Sequence, residues 1–257
     1  MTPALIDTDP GIDDALALLL AWGAGLPVPA ITTVAGNVSL SHATRNVFRL
    51  LALRRPEPRP RVAAGAARPL ARPLTTATRY HGEDGLGDLA DWPPVDAAHD
   101  PLDAPALLAD VARRAPGLTL VALGPLTNLA LALERDADAL RGVGRVVAMG
   151  GAVDVPGNVT ADAEFNMHVD PEAAARVLAS GLPLDLVPLD ATRQAVLERG
   201  ALQAALARAP GPLADRVAVF TARAFRVDTE AGGRGMVLHD PLAVGVALDA
   251  GLVDWEP

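Results

Sequence analysis

The chain has no cysteine and no lysine. Without cysteine there is no disulfide, no thiol nucleophile and no zinc–thiolate centre. It also lacks an excess of positive charge. The net charge is −9, so nothing supplies a basic face for a phosphate backbone, and a nucleic-acid partner is not expected. All 22 basic residues are arginine, which together with the abundance of alanine reads as compositional bias without functional content. An uninterrupted apolar run long enough for a membrane is missing too. Residues 15–41 carry no charge, but Gly23, Gly25, Pro27 and Pro29 split them into a helix and a following strand. Acids rather than arginines precede that run, so it does not read as a signal peptide, and a cytoplasmic location is expected.

What is present in quantity is apolar residues, at 50% of 257. That is enough to bury the core of one large α/β domain spanning 1–257. The chain is organised around its first loop, Leu5-Ile6-Asp7-Thr8-Asp9-Pro10-Gly11-Ile12-Asp13-Asp14. Ala4 to Ile6 predict the end of a buried strand, Pro10-Gly11 a turn, and Ala15 to Trp22 an apolar helix. Four carboxylates thus fall on a strand-to-helix loop, where open α/β sheets collect ligands. One Asp would suffice to cap the helix. Four repel one another unless something positive lies between them, and a hard divalent cation held by oxygen would serve. A D-x-D after a first strand also opens haloacid-dehalogenase-type phosphatases. That pattern wants Thr or Val two places after the second Asp and a later Lys, whereas Pro10-Gly11 follow Asp9 here.

Further strands are predicted at Val28–Val34, Arg61–Ala64, Leu118–Leu123, Arg145–Met149 and Leu184–Pro188. Helices are predicted at about 39–53, 104–115, from Thr127 to about Glu134, at 171–180, 193–209, 213–226, and from His239 to about Asp249. This alternation argues for a mainly parallel, Rossmann-like sheet with helices on both faces. Residues 65–101 show little periodicity. Their centre, Tyr80-His81-Gly82-Glu83-Asp84-Gly85-Leu86-Gly87, reads as a mobile lid with glycine hinges, against the plainer alternative of a solvated loop. Asp7–Asp14, Asn37, Thr127 and Asn158–Asn166 each follow a predicted strand, so a parallel sheet would gather them at one edge. Phe220 and Phe225 lie at helical spacing, where core packing competes with contact to a ligand.

Together, D-T-D-P-G-I-D-D, T-V-A-G-N, H-G-E-D-G-L-G, G-P-L-T-N, G-N-V-T-A-D-A-E-F-N and H-D-P-L-A, in that order, resemble the inosine-uridine-preferring nucleoside hydrolase family over nearly the whole chain. The resemblance implies the nucleoside hydrolase fold and hydrolysis of the N-glycosidic bond of ribonucleosides to free base and ribose. It further implies a Ca²⁺ ion held by Asp9, Asp14, Asp240 and the main-chain carbonyl of Thr127. Asp9 would also take the proton of the attacking water. Asp13 and Asn166 would hold the 2′- and 3′-hydroxyls, Asn158 and Glu164 the 5′ side, with Asn37 near sugar and base and Asp240 beside the ribose. His239 would protonate the leaving base and His81 would contact the same side, while His42, His99 and His168 read as structural. Family members are commonly dimers or tetramers, so a homo-oligomer is expected on that ground alone. Two departures stand out. The sequence ends seventeen residues after Asp240, where members usually continue through further strands and a helix, and Arg193 stands where the family often has His. A catalytically weak nucleoside- or ribose-binding relative is therefore the rival expectation.

Overall fold

The structure is a computed structural model, and it describes residues 1–256. In chain order the elements are β1 (Ala4–Thr8), α1 (Ile12–Gly23), β2 (Ala30–Thr33), α2 (Leu40–Arg54), β3 (Arg61–Ala64), α3 (Thr78–His81), α4 (Ala104–Arg114), β4 (Thr119–Ala122) and α5 (Thr127–Leu140). They continue with β5 (Arg145–Met149), α6 (Phe165–Val169), α7 (Pro171–Leu178), β6 (Leu184–Val187), α8 (Leu189–Thr192), β7 (Val196–Leu197), α9 (Arg199–Arg208), α10 (Pro212–Glu230), β8 (Met236–Val237) and α11 (His239–Leu248).

Six parallel strands form one sheet in the order β3-β2-β1-β4-β5-β6, and β7 pairs antiparallel with β8 in a separate two-stranded ribbon. The strand order reverses between β1 and β4. Loops leaving the carboxyl ends of those two strands diverge to opposite sides and open a crevice, which is where ligands bind in doubly wound sheets. Alternation along each strand sends side chains to opposite faces. Ile6, Ile31, Val121 and Val147 join the core formed with α1, α2, α10 and α11. Leu5, Leu120, Ala122 and Val146 join a second core with α4, α5 and α7. Both faces are buried, which explains why the strands are nearly continuous runs of apolar residues.

Local signals fix several boundaries. Ser39 caps α2 by accepting from the His42 N–H, Asp103 caps α4 by accepting from Ala106, and Asp170 caps α7 with Pro171 at its first position. Three expectations need correction. Asp7 and Thr8 belong to β1, and Asp13 and Asp14 to the first turn of α1, so only Asp9 of the four acids lies on the loop. The single helix expected over 193–209 is instead β7 followed by α9, because Val196 and Leu197 pair with Val237 and Met236. The expected helix 213–226 extends to Glu230 as α10.

The expected lid is pinned in this structure. Leu86 is wholly buried, Arg49 pairs with Asp84 at 2.9 Å, Asn46 Nδ2 donates to the Asp84 carbonyl at 2.7 Å, and Arg223 pairs with Asp88 at 2.8 Å. Asp84 and the adjoining Asp88 meet arginines on α2 and α10, and Leu86 enters the core. In this conformation a plain solvated loop does not describe it.

Asn128, on the first turn of α5, ties three segments together. Its Nδ2 donates to Asp7 Oδ1 at 2.8 Å and to the Thr33 carbonyl at 2.9 Å, and its Oδ1 accepts from the Ala66 N–H at 2.8 Å. All three bonds lie below the crevice. Asn128→Ala is expected to lower the free energy of unfolding by about 1–3 kcal/mol or more, since buried partners are left unpaired. Urea denaturation of the two proteins measures this.

Candidate active site

The carboxyl ends of β1, β2, β4 and β5 bring the polar clusters to one cavity of about 320 Å³. Asp13, Asn37, His81, Asn158, Glu164, Asn166, His239 and Asp240 all line it. Residues separated by more than two hundred positions are neighbours there because every one of them follows a strand of the same parallel sheet or opens α11.

At the floor stand four buried acids, Asp9, Asp13, Asp14 and Asp240. Asp13, Asp14 and Asp240 each offer a carboxylate oxygen, and these oxygens all lie within 4.8 Å of one another. Asp9 adjoins this group. Its Oδ2 accepts from the Asn37 N–H at 2.6 Å, and the Asn37 side chain donates to Asp14 Oδ2 at 3.0 Å. Asn37 therefore orients the acids as well as lining the cavity. Asp14 is held further by the Thr8 hydroxyl at 2.5 Å and the Gly11 N–H at 2.9 Å.

The energetics of this floor are unfavourable as it stands. Burial, then the charge of Asp14, pushes Asp13 up to about 8. Asp9 is raised by burial and by Asp14, and Asp240 by burial and by Asp13, Asp14 and Asp9. No guanidinium figures among the charges acting most strongly on these three. Asp9 Oδ1 and Asp13 Oδ1 are buried without a hydrogen-bond partner among the described residues. A cluster of hard oxygen donors, desolvated, mutually repelling and partly unpartnered, fits a divalent cation such as calcium. Thr127 begins α5 after β4, with its hydroxyl spent on Asp170 at 2.6 Å.

Asp9 is gripped by backbone. A Cβ on Gly36 would come within 2.1 Å of Asp9 Oδ2, and one on Gly124 within 2.4 Å of Oδ1. The glycines of T-V-A-G-N and G-P-L-T-N thus form the two sides of a slot for one carboxylate.

On the cavity wall, Asn166 Nδ2 donates to the carbonyls of Leu123 and Met149 at 2.7 and 3.1 Å, which leaves its Oδ1 as an acceptor for a ligand. Glu164 caps α6, accepting from the N–H groups of Asn166, Met167 and Gly151 at 2.9, 3.1 and 3.1 Å, and burial raises its pKa. Asn158 is exposed at the rim.

Two histidines face this floor. His81 Nδ1 accepts from the Ile12 N–H at 3.0 Å, so the proton of the neutral ring resides on Nε2. Burial, then the charge of His239, drops its pKa to about 3. This approach requires Gly11, where a Cβ would lie 2.5 Å from Nδ1. His239 Nδ1 meets the Thr192 hydroxyl at 2.8 Å, leaving Nε2 for the cavity, and burial followed by Arg193 holds its pKa near 4. Among the residues read as structural, His99 packs edge-on against Phe48. Phe220 and Phe225 are both buried in the core beside α1.

Asp7 has no place in a phosphatase mechanism. It is fully buried inside β1, its Oδ1 accepts from Thr32 at 2.6 Å and from Asn128, and burial raises its pKa to about 7. Among the cavity's polar side chains, sequence reasoning missed Asp228 and the role of Tyr80. Asp228 was detectable as a carboxylate continuing the stripe of Val217, Thr221 and Ala224, two residues beyond the end assigned to that helix.

Residues 4–257 match the family described as inosine-uridine preferring nucleoside hydrolase. The chain is 46% identical over 199 residues to the non-specific ribonucleoside hydrolase RihC of Escherichia coli (strain SMS-3-5 / SECEC), a match covering 76% of this chain and 64% of the relative. It is 47% identical over 197 residues to RihC of Salmonella paratyphi B, covering 75% and 62%. The matched segment thus spans less than two thirds of these curated relatives. Among solved structures, a purine-preferring ribonucleoside hydrolase from Gardnerella vaginalis superposes with a TM-score of 0.94 at 30% identity, covering 99% of this chain and 82% of that one. The plant nucleoside hydrolase PpNRh1 gives 0.91 at 35% identity, covering 98% and 80%. The agreement of family match, fold and motif order makes this chain a member of the inosine-uridine-preferring nucleoside hydrolase family.

Proposed function

We propose that the protein hydrolyses the N-glycosidic bond of ribonucleosides, releasing base and ribose, with calcium as its cofactor. The observation that carries this reading is the group of buried, mutually repelling carboxylates, two of whose oxygens lack a hydrogen-bond partner among the described residues, at the base of a cavity whose walls offer hydroxyl-binding groups and two histidines. Asp9, Asp14 and Asp240, with the Thr127 carbonyl, would hold the ion, and Asp13 stands close enough to Asp14 and Asp240 to contribute an oxygen. Bound there, calcium would supply a Lewis acid that acidifies water and polarises sugar hydroxyls.

The chain's own residues account for the remaining chemistry. Asp9, fixed between two backbone walls, takes the proton of the attacking water. Asp13 and the free Oδ1 of Asn166 accept from the 2′- and 3′-hydroxyls, and Glu164 and Asn158 orient the 5′ side. As the glycosidic bond lengthens, the sugar becomes oxocarbenium-like, and the carboxylates beneath it stabilise that positive charge. The base leaves with the bonding electron pair. His239 takes up a proton from solvent as negative charge developing on the base strengthens the imidazole's hold, and passes it from Nε2 to the base, while the proton on Asp9 returns to solvent. His81 Nε2–H donates to the same side.

Reducing-sugar release from inosine, uridine and cytidine tests the reading. Wild-type protein is expected to release ribose, and a chelator to abolish the release until calcium is restored. Absence of release from any riboside, by folded calcium-loaded protein, would leave only a binding relative. Calcium at about a hundred times its Kd is expected to stabilise the fold by about 2.7 kcal/mol in thermal melts, and Asp240→Asn to remove most of that gain. His239→Ala is expected to lower kcat by about 10²–10⁴. The 2′-deoxynucleosides should be poorer substrates by about 10² or more, because buried acceptors then lose their donor.

A further inference from the structure

α10 places Val217, Phe220, Thr221 and Ala224 in the core, and Asp228 follows on the same stripe where it reaches the cavity. There it stands with Tyr80, Val237 and His239. The Tyr80 hydroxyl donates to Asp228 Oδ2 at 3.0 Å, while Oδ1 accepts no side-chain or main-chain hydrogen bond from the described residues. Burial raises the pKa of both groups. Among the described residues no arginine pairs with Asp228. Arg223, on the preceding turns of α10, is committed to Asp88 at 2.8 Å and to the carbonyls of Thr78 and Arg79. A half-buried carboxylate with an idle oxygen and no counter-charge, on the wall of a ligand cavity, is an acceptor awaiting a donor.

We propose that Tyr80 and Asp228 form the base-selecting wall of this cavity, preferring a nucleobase with an amidine-like edge, an amino group beside a ring N–H. Asp228 Oδ1 accepts from that edge. The Tyr80 oxygen, its hydrogen committed to Oδ2, can offer the ligand only lone pairs. The wall therefore presents acceptors throughout, and a base carrying a carbonyl or nothing at the amino position loses a charge-assisted hydrogen bond. Among common nucleosides guanosine has this edge, and inosine lacks only its amino group. The inference rests on the ribonucleoside reading of the site, and makes these two residues determinants of specificity rather than of catalysis.

Asp228→Asn decides it. The amide oxygen keeps the Tyr80 hydroxyl, which turns Nδ2 toward the cavity and replaces an acceptor with a donor. Both kcat/KM and calorimetric Kd are measured for guanosine and inosine with the calcium-loaded protein. Wild type is expected to favour guanosine by about tenfold, the size of one such hydrogen bond, and the variant to bring the ratio to about one or invert it. Tyr80→Phe removes one acceptor and is expected to narrow the ratio by about threefold. It decides the matter should Asp228→Asn not fold, as judged by circular dichroism. Equal changes for both nucleosides, or no change in the ratio, would overturn the proposal and assign the pair to fastening residues 78–88 onto α10. The two readings fail separately. Guanosine preference in binding without ribose release removes hydrolysis and keeps the wall, while ribose release with an unaltered ratio does the reverse.

Discussion

The structure depends on a repulsion. Asp9, Asp13, Asp14 and Asp240 are held together out of water, where each charge raises the cost of the next. A fold can sustain such a group only if the surrounding backbone forbids its dispersal. Here the N–H groups of Asn37 and Gly11, the Thr8 hydroxyl and the start of α1 hold three of the acids, and α11 delivers the fourth from across the crevice. Stability is spent on geometry, and a cation is the species that would recover it.

The sheet topology explains why the acids could be assembled at all. Strand order 3-2-1-4-5-6 places the reversal between β1 and β4, and the floor is built from Asp9 on the loop after β1, the first turn of α1 and the first turn of α11, with support from the loops after β2 and β4. Asn128 and Asp7 sit one layer beneath, joining β1, β2 and α5 through bonds that never reach the ligand. The site is thus backed by a second set of polar contacts, and the sequence run D-T-D contains both layers: Asp7 faces inward to Asn128 and Thr32, Asp9 outward to the crevice.

Much of this was legible before any coordinates. The parallel sheet followed from apolar runs alternating with helical periodicity, and the gathering of Asp9, Asn37 and Asn166 followed from each lying beyond a predicted strand, whereas Asp240 entered through the family resemblance alone. What was not legible had physical reasons. Asp7 looks like its neighbours in composition, and only strand register reveals that it is buried. Residues 80–87 look mobile because glycines and acids dominate them, yet Arg49 on α2 pairs with Asp84, Arg223 on α10 pairs with the adjoining Asp88, and the core takes Leu86. Asp228 lay past the assigned end of its helix, and its meaning depends on Tyr80, 148 residues earlier. Long-range pairing of this kind leaves little trace in local pattern.

The slot around Asp9 has a consequence for how such a site can change over time. Its sides are the main chain at Gly36 and Gly124, on loops leaving two different strands. Repacking of side chains elsewhere can alter what lies above the floor without loosening this carboxylate. A methyl group at either glycine, in contrast, would force two loops apart and drag the adjoining strand ends with them. Substrate preference is free to drift while the acid beneath it stays where the scaffold's own spacing has put it.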